Sequence, residues 1–167
     1  MTRNIVRTVF LATLWLGVAA VASAQQGLRG GVCTNATVAG SWGTTMTGTL
    51  IPPTGAVPFA AVNHATYDDV GNYSGTQTRS NNGTVSRVTF EGTYTVNSDC
   101  TGKKTTRGFD QSGKLLNTVE QDFVLVNDGK ELFEIFTSLT LPNGTSVPAV
   151  VTGHSIKQVI AWPWYTW

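Results

Sequence analysis

Along most of the chain apolar residues return at every second position, the period of a strand with one buried and one wetted face, and no comparable stretch keeps the 3.6-residue period of a helix. The alternation is clearest over residues 84–97. There Val88, Phe90, Gly92, Tyr94 and Val96 share one face, while Arg87, Thr89, Glu91, Thr93 and Thr95 share the other. Seven further segments, over 38–51, 57–67, 73–80, 103–109, 114–126, 130–141 and 145–159, are bounded by turns rich in Gly, Asn, Asp and Pro. Asn81-Asn82-Gly83 is a hairpin signal. Pro52-Pro53-Thr54-Gly55 ends the first segment, because proline brings no N–H to a ladder, and Pro148 belongs at an edge, a strand start or a bulge.

The connections are too short for crossover helices, so neighbours pair antiparallel in chain order. Such a meander has two exposed edges, and joining the first strand to the last removes both. The predicted fold class is therefore all-β, an antiparallel up-and-down β-barrel of about eight strands, with a two-sheet sandwich as the main rival. A barrel of this size has an interior that side chains fill or that holds one small ligand. A membrane-spanning barrel is disfavoured, because the Thr-rich, charged faces suit water and every turn is brief.

The start of the chain reads differently. Arg3 and Arg7 precede an apolar run over 9–22, and Ala22-Ser23-Ala24 is a small-residue cleavage site. Residues 1–24 are expected to be a secretory signal peptide, followed by a lead-in over 25–37, the barrel domain over 38–159 and an aromatic tail over 160–167. The apolar run falls short of the roughly 20 residues of a permanent anchor, so no transmembrane span is expected after cleavage. The protein is expected to be secreted or periplasmic. In that setting Cys33 and Cys100 pair, tying the lead-in to the turn over 97–102. Eleven Lys/Arg less Arg3 and Arg7 leaves nine against ten Asp/Glu, a near-neutral chain without the basic stripe that nucleic acid requires. Lys103, Lys104 and Arg107 are read as a small cluster on a solvated turn.

The run Tyr67-Asp68-Asp69-Val70-Gly71-Asn72-Tyr73-Ser74-Gly75, followed by Gly92-Thr93-Tyr94-Thr95-Val96-Asn97-Ser98-Asp99-Cys100-Thr101-Gly102, resembles short secreted bacterial proteins of uncharacterised function. The meander over 38–159 is similar in architecture to lipocalin-like (calycin) and allene-oxide-cyclase or dirigent-type barrels, and Gly40-Ser41-Trp42 is similar to the lipocalin Gly-x-Trp triplet. The resemblance implies a barrel that carries or cyclises a small apolar molecule. It brings over no catalytic residue.

Linear enzyme motifs are missing: there is no Gly-x-Ser-x-Gly, His-Glu-x-x-His, phosphate loop or Cys-x-x-Cys. Barrel cyclases and isomerases need none, since an apolar pocket with a few polar groups already holds a flexible substrate near its reactive shape. His64 and His154, the only histidines, lie within predicted strands and are the acid/base candidates. Pointing inward, they would meet across the lumen with Tyr67, Tyr94, Glu120 or Glu134 as partner. Surface or structurally bonded histidines are the plainer alternative. Glu120 and Asp122 share a face and are read as solvated, which disfavours a paired-carboxylate glycosidase. Tyr67, Phe90, Tyr94, Phe123 and Phe133 are the candidate ligand-binding residues, weighed against a packed core. Trp162, Trp164 and Trp167 plug a barrel end, pack outside, or form a sticky patch.

Three functions follow. The first is a secreted barrel that binds a small apolar or amphipathic ligand in its lumen; the second is a cyclase or isomerase using that lumen; the third is an extracellular interaction or adhesion module with a packed barrel. No cofactor and no metal is expected, two Cys and two His so far apart being a poor ligand set.

Overall fold

The computed structural model describes residues 32–159, and the expected leader over 1–24 and the aromatic tail over 160–167 lie outside the described residues. Eight strands follow in order: β1 (Gly40–Leu50), β2 (Val57–Tyr67), β3 (Asn72–Asn81), β4 (Thr84–Val96), β5 (Thr101–Phe109), β6 (Leu115–Val126), β7 (Glu131–Thr140) and β8 (Ala149–Lys157). Each pairs antiparallel with the next, and β1 also pairs with β8 from Trp42↔Lys157 to Leu50↔Ala149, so the sheet closes on itself as an up-and-down barrel. The sandwich alternative is thereby excluded. Pro148 sits immediately before β8, where no ladder N–H is needed.

Alternation sets which residues face inward, and the packing inside depends on glycine. Tyr73 pairs with Gly92, Phe90 with Gly75 and Phe123 with Gly102, each aromatic ring lying over the glycine of the neighbouring strand. A Cβ on Gly92 would stand 2.1 Å from the Thr105 carbonyl oxygen and 2.8 Å from the Tyr73 ring. A small barrel holds large rings only where the facing position is empty.

One end of the barrel is sealed. A one-turn helix α1 (Asn35–Val38), which the alternation pattern does not foretell, crosses it, with the Thr34 N–H donating to Thr37 Oγ1 at 3.0 Å. Trp42 Nε1 donates to the Val38 carbonyl at 2.7 Å, Val96 N–H donates to Asn35 Oδ1 at 3.0 Å, and Lys157 Nζ donates to the Thr37 carbonyl at 3.0 Å. The Tyr94 hydroxyl bonds to the Asn35 carbonyl at 3.0 Å and to the Asp68 carbonyl; burial pushes this phenol up to about 12. The predicted disulfide is present: Cys33 and Cys100, with Cα atoms 5.0 Å apart, join this lead-in to the β4–β5 turn. Beneath it Val38, Trp42, Tyr94, Phe123, Leu125 and Leu132 form a continuous apolar plug.

The opposite end is formed by the β1–β2, β3–β4, β5–β6 and β7–β8 connections, where Gly55, Gly83, Gly113 and Gly144 stand clear of other atoms. Val119, Leu139 and Val147 cover part of this mouth, aided by the Val147 N–H bond to the Leu139 carbonyl at 2.8 Å. Lys103, Lys104 and Arg107 do not form a turn. They lie on β5, with Lys103 and Arg107 outside and Lys104 inside.

Candidate functional site

Between plug and mouth, the lumen carries a polar floor that an alternation reading treats as external. Lys104 of β5 and Glu134 of β7 form an ion pair within the barrel, their side chains only 5% and 1% exposed. Lys104 Nζ also donates to the Tyr67 hydroxyl at 3.3 Å and lies 6.0 and 5.7 Å from the centres of the Tyr67 and Tyr73 rings. Those two rings stack with centroids 4.7 Å apart and planes 6° from parallel. The Tyr73 hydroxyl bonds to Thr106 Oγ1, which donates to Gln121 Oε1 at 2.8 Å. Across the lumen Thr44 and Ser155 share a hydrogen bond of 2.7 Å.

Burial works to discharge the Lys104 ammonium, but the Glu134 carboxylate and the two phenols outweigh it and hold the lysine above its ordinary value. Burial likewise raises the phenols of Tyr67 and Tyr73, against the opposing pull of Lys104. Near neutral pH Lys104 is thus a fixed cation and both phenols keep their protons. The floor is a preorganised set of donors around one carboxylate, an arrangement for binding; a general base poised near neutrality would need a group that titrates there.

Three side chains present a buried acceptor without a hydrogen-bond or ion-pair partner among the described residues: Asn63 Oδ1, Asn81 Oδ1 and Glu134 Oε1. Glu134 Oε2 meets Lys104, and the Asn63 amide donates to Met46 Sδ at 3.3 Å. Asn63 and Glu134 border a cavity of about 60 Å³ running past Phe59, Phe90, Val88 and Phe136 to Gln77, Arg79 and Asn117, which are part-exposed at the mouth. That volume is of the order of two water molecules and well below the roughly 300 Å³ at which drug-sized ligand pockets begin. A wider groove of about 670 Å³ crosses the outer face at Ser74, Glu91, Thr93 and Arg107, but its Glu91–Arg107 pair is exposed and solvated. The lumen is therefore the better candidate site.

The expected site residues divide between the two faces. Tyr67 and Phe90 border the cavity, and Tyr94 and Phe123 are buried in the plug region below it. Phe133 is turned outward, 46% exposed, its ring stacked on His154 at 4.6 Å. Both histidines also face out: His64 is exposed, and His154 Nε2 bonds to Glu131 Oε2 at 2.9 Å. The inward arrangement in which they would meet across the lumen is not the one found, and the plainer alternative of surface or bonded histidines describes their positions. In β2 the parity is set by Phe59, Ala61, Ala65 and Tyr67, all buried, which leaves His64 outside; in β8 it is set by Val151 and Ser155. Glu120 is outside as well, whereas Glu134 is inside. Lys104, Gln121 and Arg79 escaped sequence reasoning. A partial signal existed for Lys104, since the inward run on β5 is Gly102, Lys104, Thr106 and Gly108, with glycines at both ends.

No protein-family model matches the chain, and no curated protein matches it. Among solved structures, the S-type phycobiliprotein lyase CPES from Guillardia theta aligns over 79% of this chain and 97% of that one, with 9% identity and a TM-score of 0.47. A likeness so distant assigns no residue a role.

Proposed function

We propose that this protein is a secreted or periplasmic binding barrel that takes a small amphipathic molecule through the open mouth, the ligand's polar end engaging the lumen. The observation that carries this reading is the pair of buried acceptors, Asn63 Oδ1 and Glu134 Oε1, left without partners beside the cavity. Buried polar groups are normally satisfied, so these two call for donors supplied by water or by a ligand's hydroxyl or amine. The fixed cation at Lys104 favours binding over the cyclase or isomerase alternative, which needs a group that exchanges protons. The size of the cavity restricts the lumen's occupant to a small molecule or to one end of a larger one. The disulfide and the expected leader support an oxidising compartment.

Native mass spectrometry of the protein secreted from its own host tests this directly. A bound small molecule is expected in the wild-type protein and not in Ala65→Leu, which fills the floor, where Ala65 is 2% exposed. Wild-type protein that flies only as the bare chain, under conditions that preserve a control complex, overturns the reading and leaves the packed interaction module.

A further inference from the structure

At its mouth the lumen holds a cation with no carboxylate partner among the described residues. Arg79 faces inward from β3 at the mouth, part-buried, and its Nε donates to Ser86 Oγ at 3.2 Å. Its Nη groups have no hydrogen-bond partner among the described residues. Among the described residues Arg79 has no carboxylate partner: all ten Asp and Glu side chains lie between Asp68 and Glu134, and none is within ion-pair distance of it. Glu91 is taken by Arg107, Glu131 by His154 and Glu134 by Lys104. With Lys104 and Glu134 cancelling, Arg79 leaves the mouth end of the lumen with a net positive charge. Burial without an opposing carboxylate lowers its pKa, a cost that an anion at this point would offset.

We infer that the ligand is a small amphipathic monocarboxylate that also bears a hydroxyl, its carboxylate held by the Arg79 guanidinium at the mouth, its apolar body laid against Phe59, Val88, Phe90 and Phe136, and its hydroxyl directed to the acceptors of Asn63 and Glu134. This inference rests on the proposed lumen binding and names the ligand class. Guanidinium and carboxylate match as two parallel N–H···O bonds, and the Ser86 contact at Nε leaves the Nη groups to make contact. One net charge suits a monoanion; a phosphate dianion would lack a second cation within reach of the mouth. Arg87, the other arginine of this hairpin, is exposed on the outer face and contributes nothing to the lumen.

The test is isothermal titration of octanoate and of 1-octanol into wild-type protein, Arg79→Gln, Arg79→Lys and Ala65→Leu, with circular dichroism confirming that each variant is folded. Octanoate is expected to bind wild type about tenfold or more tighter than octanol, since one charge-assisted pair is removed in the alcohol. Arg79→Gln is expected to lose that preference while keeping the octanol affinity, and Arg79→Lys to keep only part of it. Equal affinities for acid and alcohol, or an unchanged preference in Arg79→Gln, would overturn the carboxylate assignment while leaving lumen binding intact, provided Ala65→Leu still abolishes uptake. Binding of neither probe to folded wild type at millimolar concentration would overturn lumen binding itself.

Discussion

Replacing Lys104 by methionine isolates the energetics of the lumen floor. The substitution keeps the length of the side chain and removes its charge, leaving the Glu134 carboxylate inside the barrel with no cation; Oε1 has no hydrogen bond even in the wild type. With both side chains almost wholly withdrawn from solvent, no screening softens the loss, and breaking such a pair from one side costs about 3–5 kcal/mol. For a domain of this size that is a fall of about 10–15 °C in Tm. Lys104→Met/Glu134→Met removes both charges and is expected to return to within about 1–2 kcal/mol of wild type, or to exceed it. Urea unfolding of wild type, Lys104→Met, Glu134→Met and the double variant, followed by far-ultraviolet circular dichroism, gives all four corners of the cycle. Because the lysine's folded pKa lies above its ordinary 10.5, the contribution is complete below that value and lost only as pH rises through the folded one. The wild-type advantage over Lys104→Met is therefore expected to be flat from pH 7 to 9. A single variant costing less than about 1 kcal/mol, or a double variant no better than the single, would refute the ion-pair account.

Other parts of the fold make their own predictions. Cys33→Ser/Cys100→Ser opens a loop with a sequence separation of 67 and should lose about 4 kcal/mol in urea unfolding, with the β4–β5 turn the first region to gain hydrogen exchange. Gly92→Ala should cost about 1–3 kcal/mol, because its Cβ meets the Thr105 carbonyl and displaces the Tyr73 ring; a neutral result would contradict the close approach. Asp68 accepts N–H bonds from Val70, Gly71 and Asn72 at 3.1, 2.8 and 2.7 Å, and these hydrogen bonds, led by those from Asn72, hold its carboxyl below 3.8. Its stabilising effect is complete above that value and lost as pH falls from there through the lower folded pKa, so the Tm gap between wild type and Asp68→Asn should close between pH 5 and 2. Finally, His64→Ala and His154→Ala should leave ligand affinity within about twofold by the same titrations, since both rings are outside the barrel.

How far the sequence discloses this molecule depends on contrast between the two faces of each strand. In β4 the contrast is complete, and Val88, Phe90, Gly92 and Tyr94 are inward as the alternation requires. In β7 it vanishes: Leu132, Glu134 and Phe136 point in while Phe133 and Ile135 point out, so either parity is apolar and the phenylalanine chosen as a ligand contact is on the wrong side. The β6–β7 bulge at Glu120/Gln121 then shifts the phase again, with Ser138 opposite Glu120 but Phe136 opposite Gln121. In β5 Lys103 and Lys104 are the same residue type on opposite faces, and only the inward glycines separate them. Those glycines acquire meaning once register is known, because Gly102 lies opposite Phe123, Gly92 opposite Tyr73 and Gly75 opposite Phe90. Register is a property of pairs of strands, and periodicity within one strand does not contain it. The site itself is hidden for a further reason: reading polar as outward assigns Lys104, Arg79 and Gln121 to solvent. These residues break the pattern that stabilises the rest of the barrel. Positions where burial of charge runs against folding economy are where a binding role is to be sought.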